Sequence, residues 1–143
     1  HDALPIFLVK PIEPAKIYHV LDNIYRISEK NSVGFEFQTQ NSTYRISYKD
    51  ILYFQSTGRK INIVMKKEIR TFYGKLNEIE KRIPENVFLR IHKSYLVNNN
   101  YVKEFTYEWV KMLNEDVLNI SKINRADVRR KILESAADEF KNI

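Results

Sequence analysis

The sequence contains no cysteine. Disulfide scaffolds, thiolate zinc sites and thiol catalysis are therefore excluded for these 143 residues. Glycine is nearly as scarce, with three residues. Gly58-Arg59-Lys60 carries one of them and fits neither the phosphate-loop nor the dinucleotide pattern. The histidines are His1, His19 and His92, far apart in the chain and without a carboxylate cluster, so no metal set assembles from them. Ser94 has no base and orienter to make it a nucleophile. No catalytic residue, metal or cofactor is expected, and the chain reads as a non-enzyme. The longest purely apolar run is Ile6-Phe7-Leu8-Val9, far short of the roughly 18 residues of a membrane span. No secretory leader is legible, so no membrane partner is expected and the expected location is cytoplasmic.

What remains is an ordinary globular composition, 43% hydrophobic and 29% charged, with nine Tyr, eight Phe and one Trp. The length suits one domain and a fragment of another, on a scale of roughly 150 residues per domain. The net charge of +6 is unevenly placed. Residues 1–42 hold 4 basic and 5 acidic side chains, residues 43–125 hold 16 and 9, and residues 126–143 hold 4 and 4. A localised basic excess favours a polyanionic partner, nucleic acid above all.

Three pieces are legible along the chain. In the first, Phe7-Leu8-Val9 ends at Lys10-Pro11 like the tail of a buried strand. Ile17, Val20, Leu21, Ile24 and Ile27 then form one stripe of a helix with Pro14 in its first turn. One strand and one helix make no core, so this piece reads as incomplete. The second piece, about 33 to 123, is mostly strands. Phe35, Phe37 and Thr39 alternate with polar residues, as do Tyr44, Ile46 and Tyr48, and Ile61, Ile63 and Met65. Ile51-Leu52-Tyr53-Phe54 is continuous, as in a strand buried on both faces. Ser56-Thr57-Gly58 signals a turn. Later strands are expected over Val102–Phe105, Trp109–Leu113 and Val117–Ile120, with a hairpin turn at Asn114-Glu115-Asp116. One short helix interrupts them: Leu76, Ile79 and Ile83 share a face, Glu78 is placed to pair with Arg82, and Pro84 ends it. The third piece, about 124 to 141, reads as a helix capped by Asn124, with Val128, Ile132, Ala136 and Phe140 four apart.

The most informative stretch is Val87-Phe88-Leu89-Arg90-Ile91-His92-Lys93-Ser94-Tyr95-Leu96-Val97-Asn98. It resembles the LytTR family of bacterial DNA-binding domains, whose motif runs phenylalanine–x–arginine–x–histidine–(basic or polar)–serine–aromatic–x–valine–asparagine. The flanks agree. Asp50-Ile51-Leu52-Tyr53-Phe54 matches the family's upstream strand, and Phe72-Tyr73-Gly74-Lys75-Leu76 its entry into the helix. Ile120-Ser121-Lys122 matches the end of its last strand. The resemblance covers roughly residues 33 to 133. It implies a mainly β (α+β) fold, an elongated antiparallel structure with one short internal helix and a C-terminal helix.

The first piece resembles the end of a receiver domain of response regulators. There a lysine–proline pair closes the last strand, the lysine being the switch lysine and the peptide before the proline usually cis. Lys10 and Pro11 occupy those positions. The rest of a receiver, with its phosphoacceptor aspartate and acidic metal pocket, is not in the sequence, so no phosphotransfer is expected. The expected organisation is a truncated receiver end over 1–30, with 1–6 as candidate non-native residues. A linker and first strand follow over 31–42, and the DNA-binding domain with its C-terminal helix over 43–143.

The resemblance implies that loops and strand ends enter the major groove. Three regions carry the candidate contacts: Arg59 or Lys60 after the Phe54 strand, Lys93 with His92 in the motif, and Lys122 with Asn124 and Arg125 beyond the last strand. Lysine reaches phosphate or the O6/N7 edge of guanine, less rigidly than the fork of an arginine. Asn124 suits adenine, although capping competes for its side chain. His92 is equally readable as a structural histidine bonded to backbone near a strand end. Phe88, Tyr95, Leu96 and Val97 read as core. Trp109 and the tyrosines could stack single-stranded bases, but alternation favours sheet packing. The implied partners are double-stranded promoter DNA with direct repeats, a second copy of the chain on that DNA, and a sensor histidine kinase acting on the missing receiver. The rival readings are a basic module for RNA or single strands and a protein-interaction module with an acidic partner.

Overall fold

The computed structural model describes residues 34–141, with side-chain surroundings through Ser135. These residues fall within one of the two units into which the chain divides, Val33–Ile143. The strand and helix expected over residues 7–30, with Lys10 and Pro11, lie outside the described residues.

Among the described residues, ten strands and two helices follow in order. They are β1 Gly34–Gln38, β2 Thr43–Ser47, β3 Ile51–Thr57, β4 Lys60–Met65, β5 Ile69–Tyr73, α1 Leu76–Arg82, β6 Phe88–His92, β7 Tyr95–Asn98, β8 Val102–Phe105, β9 Trp109–Met112, β10 Val117–Asn119 and α2 Arg125–Lys141. Every pairing among the described residues is antiparallel. The central sheet has the order β5-β4-β3-β7-β6, beside a three-stranded sheet β10-β9-β8 and the β1-β2 hairpin.

The central sheet is covered on both faces. One core joins Phe35 and Phe37 of β1 and Leu76, Ile79 and Ile83 around α1 to Phe54, Ile61, Ile63 and Leu96 of the sheet. The other joins Val110, Met112, Leu118 and Ile120 of the small sheet and Val128 and Ile132 of α2 to Leu52, Tyr53, Ile91 and Val97. The continuous apolar run of β3 is thus explained. Ile51 and Phe54 face the first core, Leu52 and Tyr53 the second. Strict alternation would place Ile51 with Tyr53. A register shift between those two residues puts Leu52 and Tyr53 on the same face instead. Each fully buried side chain of this size contributes roughly 1.5–3 kcal/mol.

The helix of the strand-rich region starts and stops as its pattern implies, with Ile83 already extended before Pro84. The Arg82 guanidinium donates to the Glu36 carbonyl at 2.7 Å and lies 4.6 Å over the Phe35 ring, fastening β1 to the helix. The turn at Asn114-Glu115-Asp116 is present, with Glu115 at φ 76° and Met112 N–H donating to the Asp116 carbonyl. One element carries no periodic signal: β5 half-buries Phe72 and exposes its other residues, as an edge strand does.

Candidate nucleic-acid interface

The motif from Val87 to Asn98 is a β-hairpin, β6 and β7, joined by Lys93 and Ser94. Most of its apolar residues, and Asn98, are scaffold. Phe88 packs on Tyr48 and Phe54, and Leu96 and Val97 are buried on opposite faces of the sheet. Asn98 is 1% exposed, and its amide donates to the carbonyls of Tyr48 (3.2 Å) and Ile51 (3.0 Å) while its oxygen accepts from Asn100 N–H (3.0 Å). It latches the hairpin to the start of β3.

Arg90 holds the hairpin tip. Its guanidinium donates to the carbonyls of His92 (2.7 Å) and Lys93 (2.8 Å) and to Asn77 (2.9 Å) and Glu80 (2.8 Å) of α1. A planar fork is suited to bridging two backbone acceptors and a helix in this way. His92 Nδ1 accepts from Ser94 N–H at 3.1 Å, and its ring lies 5.2 Å from that of Tyr95. That bond requires Nδ1 to be unprotonated, so Nε2–H is what the half-buried ring offers to an outside acceptor. The structural reading of His92 therefore has a geometric basis. Lys93 is held by its carbonyl, and its side chain is exposed.

The β3-β4 hairpin ends beside this tip. Thr57 pairs with Lys60, leaving Gly58 and Arg59 as a two-residue turn. Gly58 has φ +61°, while Arg59 is not among the positive-φ residues. That combination matches the turn type that places glycine first and follows the twist of the strands. The Arg59 carbonyl accepts from Gly74 N–H at 3.1 Å, and Ser56 N–H donates to the Ser94 carbonyl at 2.9 Å. The two hairpin tips thus lie at one end of the central sheet. Arg59, Tyr73, Lys75, Asn77, Arg90 and Lys93 line an open groove there, with Glu78 as the acidic member of its wall. Lys60 is turned toward β5, its Nζ 5.7 Å over the Tyr73 ring.

The third region is tied to the same hairpin, because Ser121 N–H donates to the Ile91 carbonyl at 2.9 Å. Lys122–Asn124 form a 3-10 turn that runs into α2. Lys122 is exposed. The expected cap at Asn124 is corrected here. Asn124 lies inside the helical run, and the capping place before it belongs to Ser121, whose side chain makes no cap bond. The 3-10 turn extends the run by three residues, so the cap position moves upstream. Arg125 is half-buried and donates through Nε to the Ile120 carbonyl at 3.2 Å, which fixes the turn.

Among the described residues, no ion pair within 4.0 Å joins Arg59, Lys93 or Lys122 to a carboxylate. Near the start of α2, by contrast, Asp127, Arg130, Lys131 and Glu134 pair with one another. Lys131 and then Arg130 hold the Asp127 carboxyl below its ordinary range. On the β9-β10 turn, Glu115 is held low chiefly by its hydrogen bond from Lys103. Sequence reasoning did not give Arg90 a role and did not place Lys75 or Tyr73 at the groove. The signal for Arg90 was its position two residues before a turn histidine, within reach of both turn carbonyls. Among the described residues no group of three His, Asp or Glu is placed to hold a metal, and no helix is long and apolar enough to cross a membrane.

Comparison with known proteins agrees with the hairpin motif. The transcriptional regulatory protein NatR of Bacillus subtilis is 28% identical over 102 residues, covering 70% of this chain and 44% of that protein. The sensory transduction protein LytT of Enterococcus faecalis is 23% identical over 128 residues, covering 82% of this chain and 53% of that one. The chain spans about half the length of the curated relatives it matches. A solved LytTr DNA-binding domain from Bacillus cereus has the same fold, with a TM-score of 0.60 at 22% identity over 72% of this chain and 98% of that one. The family model for the LytTr DNA-binding domain matches residues 41–133, and the chain belongs to that family.

Proposed function

We propose that this chain binds double-stranded DNA sequence-specifically as the output part of a two-component response regulator that controls transcription. Family membership supports the DNA-binding activity. The names of the relatives, a transcriptional regulatory protein and sensory transduction proteins, support the regulatory setting. The observation that carries the reading is the gathering of Arg59 and Lys93 on two hydrogen-bonded hairpin tips, with Lys122 on a turn bonded to the same hairpin. Short loops on a rigid sheet are narrow enough to enter a major groove, which is about 12 Å wide. Arg59 or Lys60 is the contact from the first hairpin: Arg59 lines the groove, and exposed Lys60 lies beside the Tyr73 ring on its wall. His92 contributes through Nε2, and Asn124 and Arg125 sit behind Lys122 as secondary contacts.

The upstream residues fit a receiver end, with Lys10 as its switch lysine and Pro11 as its cis-proline candidate. The match to the E. faecalis protein, over 82% of this chain, reaches beyond the residues of the family model. In this reading a sensor histidine kinase phosphorylates the receiver of the whole protein, which acts in the cytoplasm, and two copies pair on direct repeats.

Selection of duplexes from a random pool tests the reading, with single-stranded DNA and RNA as competitors. Enrichment of a shared duplex sequence that single strands do not displace supports it. Displacement by single strands, or no enrichment at all, contradicts it in favour of a single-strand module or a protein partner.

A further inference from the structure

One apolar side chain in this region has no structural employment. Ile123 is 91% exposed, the most exposed of the large hydrophobic residues described. It lies between Lys122 and Asn124 on the 3-10 turn before α2. The turn beneath it is fixed from three sides: Ser121 N–H bonds to the Ile91 carbonyl, Asn124 N–H to the Ser121 carbonyl, and Arg125 Nε to the Ile120 carbonyl. A single exposed isoleucine is common on protein surfaces. This one is a stiff β-branched side chain on an anchored turn, flanked by an exposed lysine and an asparagine. In a major groove those neighbours supply polar contacts, and the apolar group that a base edge offers beside them is the C5-methyl of thymine.

We propose that Ile123 is a specificity-determining residue that reads a thymine methyl group through van der Waals contact. The proposal rests on the DNA-binding reading above. Burying one methyl is worth a factor of roughly four in affinity. Ile123 adds preference for T·A pairs beneath the turn, while Lys122 holds the backbone or a guanine.

The test uses a duplex that the chain selects from a random pool, synthesised once with thymine and once with deoxyuridine throughout. Uracil lacks the methyl and keeps the same pairing edge. Affinities are measured for the wild type, Ile123→Ala and Ile123→Val at one salt concentration, with a salt titration of each. The wild type should weaken roughly three- to five-fold on the uracil duplex, Ile123→Val nearly as much, and Ile123→Ala by less than about 1.5-fold. The salt slopes should coincide, because no phosphate contact is changed. An equal uracil penalty in wild type and Ile123→Ala overturns the role of Ile123 while leaving DNA binding standing. A wild type that binds no duplex in a salt-dependent way overturns the reading on which the proposal rests, and the proposal with it. Thermal melts of the variants should match the wild type, since the side chain packs on almost nothing.

Discussion

Replacing Asn98 isolates what the motif does for the fold from what it does for binding. Its side chain is 1% exposed and makes three hydrogen bonds, two as donor to the Tyr48 and Ile51 carbonyls and one as acceptor from Asn100 N–H. The Tyr48 carbonyl also receives Ile51 N–H, so it stays satisfied without Asn98. The Ile51 carbonyl and Asn100 N–H lose a partner at a cost of about 1–3 kcal/mol for each group kept from water. Allowing for partial access of water at Asn100, Asn98→Ala should destabilise by roughly 2–4 kcal/mol. For a domain of about a hundred residues that lowers Tm by roughly 10–20 °C. Asn98→Asp is the sharper variant. It keeps the acceptor for Asn100 and replaces the donor by an oxygen facing two carbonyls. Burial among acceptors raises the pKa of that carboxyl in the folded state. Its stability is therefore greatest below the unfolded carboxylate pKa and is lost as pH rises through the folded value. Thermal and urea unfolding from pH 4 to 8 should show Asn98→Asp losing ground to the wild type toward neutrality. Duplex affinity of Asn98→Ala, measured well below its Tm, should stay within a factor of two or so. A loss under about 1 kcal/mol, or an Asn98→Asp variant as stable as wild type at pH 7, would refute the latch.

Tyr53 and Gly58 give two further expectations. The Tyr53 hydroxyl is buried and donates to Asp116 at 2.7 Å, and burial first, then that carboxylate, push its ionisation well above the ordinary tyrosine range. Its contribution is present below about pH 10 and is lost as pH climbs toward the folded value, so Tyr53→Phe should cost about 1–2 kcal/mol at pH 7 in urea unfolding and flatten the alkaline decline. Gly58 has φ +61° with open space where a Cβ would stand, so Gly58→Ala should cost about 1–2 kcal/mol through the backbone alone, with Gly58→Asn milder. Equal stability of alanine and glycine there in urea unfolding would contradict the assigned turn.

The fold was legible where burial is periodic. The alternation of Phe35 and Phe37 and of Ile61, Ile63 and Met65 marks strands that turn those side chains into the first core, although β4 also buries Val64 in the second. The run at Ile51–Phe54 marked a strand covered on both faces, but the bulge that sorts its side chains left no trace in the pattern. The edge strand β5 escaped because it half-buries Phe72 alone. The short β6-β7 turn escaped because Lys93-Ser94 carries no Gly, Pro, Asn or Asp; Arg90 and the His92–Ser94 bond hold it instead. At the interface, lysines and arginines were identifiable by residue type. Which of them are engaged by the structure itself depends on tertiary contacts: Arg90 binds the tip carbonyls, and Arg125 spends its Nε on the Ile120 carbonyl. Asn124 was misread as a cap because one 3-10 turn upstream moved the cap position.

The central claim is that Lys93, presented by a rigid hairpin, is a principal contact to duplex DNA. Its most direct test is a salt titration of binding to a selected duplex, wild type against Lys93→Ala. If Lys93 reads a base, the variant should lose about 1–3 kcal/mol of affinity and relax specificity at one position; if it holds a phosphate, the loss should be uniform across sequences and the salt slope should fall by about one. Thermal stability should be unchanged, because the side chain is exposed and the turn is held by its backbone. An affinity and a salt slope both equal to wild type would contradict the account.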